Sequence, residues 1–72
     1  MRRDTFYSEE CKLYNVDRDQ NITAEVVQFK PNDLLVCSIQ GAVEIRMNYT
    51  KHGEYVGSKA GMEFKTQGPT VL

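Results

Sequence analysis

The chain has no tryptophan, a single histidine, two cysteines and two prolines among its 72 residues, and each scarcity excludes a class of chemistry. A structural zinc site takes four Cys or His ligands, commonly in close pairs. Cys11, Cys37 and His52 are the whole supply and lie far apart in the sequence, so neither a metal nor another cofactor is expected. Nucleophilic catalysis needs a Ser, Thr or Cys beside an oriented base. The one histidine sits in KHGE, a turn-like stretch pivoting on Gly53, and reads as an exposed turn residue. A catalytic role is therefore not expected.

Long apolar runs are also missing, so no segment has the length of a membrane span. The start MRRDTFYSEEC is basic but has no apolar stretch behind it, unlike a secretory signal. The expectation is a cytoplasmic protein whose two thiols stay reduced and serve as small apolar packing residues. Without a secretion signal, the glycosylation patterns at Asn21-Ile22-Thr23 and Asn48-Tyr49-Thr50 read as coincidence. Nor is there an excess of one charge: nine basic and ten acidic side chains leave a net charge of −1. That balance exerts no long-range pull on nucleic acid or anionic lipid. The only adjacent basic pair, Arg2-Arg3, runs straight into Asp4. A chain this short makes one domain, 1–72, which buries only about 60% of its unfolded surface.

What the sequence does have is alternation. In AVEIRMNYT, residues 42–50, Val43, Ile45, Met47 and Tyr49 are apolar and the residues between them polar, which predicts a strand with one buried face. DLLVCSIQ, residues 33–40, places Leu35, Cys37 and Ile39 on one face and Leu34 and Val36 on the other, as in a more central strand. Gln40-Gly41 joins the two as a hairpin, because glycine accepts the positive φ of a tight turn. In ITAEVVQFK, Ile22, Ala24 and Val26 keep one phase and Val27 and Phe29 the other. A change of phase within a strand predicts a β-bulge near Val26-Val27, and bulges bend sheets towards closure. Pro31-Asn32-Asp33 supplies the next turn. CKLYNV, with Leu13, Tyr14 and Val16, reads as a shorter strand. Residues 1–10 read as an arm or a short helical turn, and 69–72 as a loose tail.

Two stretches invite a ligand reading. EYVGSKAGMEFK, residues 54–65, has two glycines around Ser58 and Lys59. A Walker-type phosphate loop needs four residues between its glycines, a lysine after the second, and a helix to follow. Here three residues intervene, the lysine precedes Gly61, and Met62 to Thr66 alternate as a strand. Gly57 and Gly61 are expected to flank a turn or kink a strand. Asp17-Arg18-Asp19-Gln20-Asn21 opens like a calcium loop, but Ile22 stands where glycine is needed and Gln28 where the bidentate glutamate belongs. A polar turn is the expectation. The carboxylate pairs Glu9-Glu10 and Asp17-Asp19 sit in polar segments that offer no desolvation for acid–base work.

The phrases NIT, FKPNDLLVCSI and GMEF, within residues 21–68, resemble the later part of a PilZ domain, a barrel that binds cyclic-di-GMP. The resemblance implies a small barrel. Its ligand motifs do not carry over: Arg2 and Arg3 have no arginine four residues on, and Val26 stands where the D/N-x-S-x-x-G pattern, begun by Asn21 and Thr23, ends in glycine.

The expected fold is all-β: about five short antiparallel strands in a meander, forming a small barrel or strongly curled sheet. The expected function is that of a non-enzymatic module acting through protein–protein contacts, with copies of itself or with another protein. A thin core and an unpaired sheet edge both favour such association. Compact chains of this kind suit accessory proteins of bacteria, phages or mobile elements. The alternative is a nucleic-acid or nucleotide-binding barrel, PilZ-like or of the OB or SH3 type, with Tyr14 and Tyr55 stacking bases beside Arg46 and Lys59.

Overall fold

The computed structural model describes residues 6–72. Among the described residues six antiparallel strands form a closed barrel in sequence order: β1 (Glu10–Asn15), β2 (Gln20–Lys30), β3 (Leu34–Ile39), β4 (Val43–Tyr49), β5 (Tyr55–Lys59) and β6 (Met62–Thr66), with β6 pairing back onto β1. The described residues contain no helix. The all-β small-barrel expectation holds, with one strand more than the alternation indicated. The additional strand is β5, whose YVGSK carries a glycine in mid-strand and too few apolar residues to show a period of two.

Burial follows the alternation where it was clearest. Ile45 and Met47 of β4 are fully buried, while Val43 and Tyr49 reach the two rims of the barrel and are partly exposed. Leu35 and Cys37 of β3 face inward beside them, joined by Cys11, Leu13, Ala24, Tyr55 and Phe64. In β2 the register steps from Val26↔Cys37 to Gln28↔Val36, leaving Val27 without a partner. The bulge predicted from the change of phase is therefore present. Its consequence differs in one respect: Phe29 returns to the core, whereas Val27, the extra residue, is turned out to solvent. In β1 the third inward position is Asn15, not Val16, which lies exposed in the following turn.

The turns have the chemistry their residues allow. Across Pro31-Asn32 the Asp33 N–H donates to the Lys30 carbonyl at 3.0 Å. Pro31 sets the first turn residue and Asn32, at φ 61°, takes the left-handed second one, the type II pattern. Gln40-Gly41 and Ala60-Gly61 both have two successive positive φ angles, the primed hairpin geometry that matches strand twist. Gly61 thus serves the β5–β6 turn. Gly57 serves closure: a Cβ there would lie 2.3 Å from the Arg46 carbonyl oxygen and 2.6 Å from Met47 Cγ. Strands β4 and β5 cross so closely at this point that only a hydrogen fits.

Residues 69–72, expected as a loose tail, are held. Tyr7 bridges Val71, Ser8 N–H donates to the Thr70 carbonyl at 2.8 Å, and Leu72 N–H donates to the Phe6 carbonyl at 2.8 Å. The arm is extended from Phe6, and Glu10 already belongs to β1; residues 1–5, with Arg2 and Arg3, lie outside the described residues. Unsatisfied backbone groups on each segment find partners on the other, a pairing between chain ends that local sequence does not announce.

Candidate functional site

The residues suggested as a base-stacking face do not assemble into one. Arg46 and Lys59 do come together, lining a shallow outer depression with Val36, Glu44 and Ser58. Tyr14 lies elsewhere on the barrel, beside Asn21 and Lys65. Its hydroxyl donates to Asp19 Oδ1, its ring lies 5.9 Å from Lys65 Nζ, and the Asp19 hydrogen bond raises its pKa. Tyr55 corrects the sequence reading. It is only 3% exposed, because its ring faces the interior at the start of β5. There it meets Phe29 at 5.6 Å and Tyr49 at 5.1 Å between ring centroids. Tyr7 completes the group, 4.8 Å from Phe29. The Tyr55 hydroxyl accepts a hydrogen bond from Asn32 N–H at 2.9 Å. These aromatics plug one end of the barrel, and Tyr55 is a packing residue.

The acidic turn after β1 is spent on local hydrogen bonds. Asp17 Oδ2 accepts from Glu63 N–H at 2.7 Å, Asp19 is engaged by Tyr14, and Asn15 Oδ1 accepts from Arg18 N–H at 3.1 Å. Among the described residues no three His, Cys, Asp or Glu side chains converge as they would around a metal ion. His52 is exposed, its N–H donating to Thr50 Oγ1 at 3.3 Å. Asn21, Thr23 and Val26, which align with the PilZ ligand pattern, all lie within β2 and form no loop.

A feature the sequence did not announce is the meeting of the two cysteines. Both are buried and unoxidised. Cys11 shares the inward phase of Leu13, and Cys37 that of Leu35. Strand β2 runs between them, and its residue opposite Cys11 is Ala24, small enough to let the thiols meet. Cys11 and Cys37 share the core, and Cys11 Sγ lies 3.2 Å from Thr66 Oγ1. Thr66 in turn donates to the Lys12 carbonyl at 2.7 Å and accepts from Gly68 N–H at 3.1 Å. Interaction with Cys37, opposed by burial, brings the Cys11 pKa down to about 7. The same contact, together with burial, pushes Cys37 well above the ordinary thiol range. A hydrogen bond donated to one thiol sulfur favours its thiolate, and the partner that donates must keep its proton. The sequence signal was available in the inward phases of both cysteines; which strands would curl together was not.

Cys11 and Thr66 line a groove of about 680 Å³ along the β1–β6 seam, with Lys12 and Lys65 among its other residues. The two strands pair only through Tyr14 with Lys65 and Asn15 with Phe64, whereas β1 pairs with β2 along its whole length. The opening lies where the paired strands part. At the chain ends, Phe6, Val71 and Leu72 are 67%, 60% and 77% exposed on adjoining segments of a short two-stranded ribbon. No helix of the described residues is long and apolar enough to cross a membrane.

The chain matches no family model, no curated protein and no solved structure.

Proposed function

We propose that this protein is a small non-enzymatic β module that works through protein–protein contacts, first of all with copies of itself, in the manner of a bacterial or phage accessory protein. The observation that supports this is the terminal ribbon. Three large apolar side chains, Phe6, Val71 and Leu72, stand in water on a two-stranded ribbon. Phe6 and Leu72 stand opposite one another across the ribbon, and neighbouring exposed apolar groups mark interaction sites more than isolated ones do. A ribbon of two short segments also offers outer edges with which a strand from another chain can pair.

Light scattering across a range of protein concentrations tests the reading. The expected result is a mass above 8.3 kDa that rises with concentration. Val71→Asp combined with Leu72→Asp should return the monomer with unchanged circular dichroism, since both side chains are exposed. A wild-type mass of one chain at every concentration would remove self-association, and a mass unaffected by the double substitution would remove the ribbon as its surface. The competing nucleic-acid reading predicts a salt-sensitive shift of labelled oligonucleotide that Lys59→Ala or Arg46→Ala weakens.

A further inference from the structure

The two ends of the barrel are unlike. One is closed by the Tyr7, Phe29, Tyr55 and Tyr49 rings. The other, where the β1–β2, β3–β4 and β5–β6 turns gather, opens into a depression of about 380 Å³. Its walls are aliphatic and thioether groups from Ile22, Ile39, Val43 and Met62, with Phe64 beneath. The volume is within the range of small-molecule sites, and barrel mouths are a common place for them.

Polar groups at this mouth are few and of one kind. Among the described residues no acidic one lines it, and Arg18 and Lys59 are its only charged members. The carboxylates flanking Arg18 are engaged elsewhere, Asp17 by Glu63 N–H and Asp19 by Tyr14. Glu44 shares the neighbouring outer depression with Lys59 but does not line the mouth. Asn15 adds an independent sign. It is only 6% exposed, and the hydrogen-bond partner of its amide nitrogen is the thioether sulfur of Met62, at 3.3 Å. A thioether is a weak acceptor, and an amide NH2 carries two donor protons. A buried donor so poorly served calls for a better acceptor.

We propose that this mouth binds a small amphiphilic carboxylate, a medium-chain fatty acid, with its chain over Ile22, Ile39, Val43 and Met62 and its acid group between Arg18 and Lys59. The carboxylate oxygens accept from both cations and from the Asn15 amide, which releases Met62 to pack on the chain. An apolar wall alone would take any greasy molecule; the donor-only rim selects a single negative charge. The site is independent of the terminal ribbon and of whether the protein self-associates.

The probe is decanoate, titrated below its micelle concentration by calorimetry and by amide chemical shifts, with decanol and decyltrimethylammonium as neutral and cationic counterparts. Decanoate should bind about tenfold more tightly than decanol, the worth of charge-assisted hydrogen bonds at a partly wet site, and the cation should bind least. Shifts should centre on Val43, Lys59 and Ala60. Arg18→Gln with Lys59→Gln should abolish the preference for decanoate over decanol, while Lys12→Gln with Lys65→Gln, at the seam groove, should leave it intact. All four positions are surface side chains, and circular dichroism confirms that each variant folds. Equal binding of decanoate and decanol, no binding, shifts confined to Phe6 and Leu72, or an unaltered preference in the Arg18–Lys59 variant would each overturn the assignment.

Discussion

Replacing Gly57 with alanine tests how the barrel closes. The added Cβ would sit 2.3 Å from the Arg46 carbonyl oxygen, where ordinary contact begins at 3.4 Å. Relief therefore requires β5 to move about 1 Å from β4, because the first obstacle is backbone and has no rotamer to change. Overpacking a well-filled site costs about 1–3 kcal/mol, and a clash against a neighbouring strand belongs at the upper end, about 3 kcal/mol. A domain of this length has roughly 4–11 kcal/mol of stability in all, so the loss is a large fraction of it. For a small domain each kcal/mol lowers Tm by about 4–8 °C, giving an expected fall of about 12–24 °C. Gly41→Ala is the control. Its Cβ meets nothing within 4 Å, and its φ of +67° charges only the left-handed penalty, about 1 kcal/mol. Thermal and urea unfolding followed by circular dichroism measure both. If Gly57→Ala stays within about 0.5 kcal/mol of wild type, or costs less than Gly41→Ala, the close crossing of β4 and β5 is wrong and the glycine has another purpose.

Tyr55→Phe keeps the aromatic plug but leaves Asn32 N–H without its acceptor, so it should lower stability by about 1 kcal/mol; an unchanged urea midpoint would show that the hydroxyl does not cap that turn. Titration of the thiols by ultraviolet thiolate absorbance should show one group ionising near pH 7, as the lowered Cys11 value requires, and the second remaining protonated through the alkaline range. Cys37→Ser should alter the first transition, and two independent thiols of ordinary pKa in the wild type would contradict the pairing. The linkage sign follows from the same shifts. Cys11 is lowered, so its contribution is present above the unfolded thiol pKa of about 8.5 and is lost as pH falls through about 7. Cys37 is raised, so its contribution is present below the unfolded value and is lost as pH climbs above it. Stability should therefore rise between about pH 7 and pH 8.5 and decline beyond, a maximum that replacing both cysteines with alanine should remove.

Alternation of side chains along β3 and β4 determined the central hairpin from sequence alone, because a period of two leaves one face to bury and tolerates no slip of register. The change of phase at Val26-Val27 likewise contained the bulge, and Pro31-Asn32 and Gln40-Gly41 contained their turns, since those backbone angles suit few residue types. These are local properties, set by neighbours within a few positions. The tertiary structure decided the rest. Strand β5 carries a glycine in mid-strand and too few apolar residues to declare itself, and exists because β4 on one side and β6 on the other supply its hydrogen bonds. Tyr55 looked as available for stacking as Tyr14 until closure turned it inward. Cys11, Cys37 and Thr66 are brought together by the curl of three separated segments, and at the mouth Asn15 and Arg18 of one segment meet Lys59 of another. Each of these groupings joins residues distant in the chain, so their geometry depends on how the sheet closes, which no short stretch of the sequence specifies.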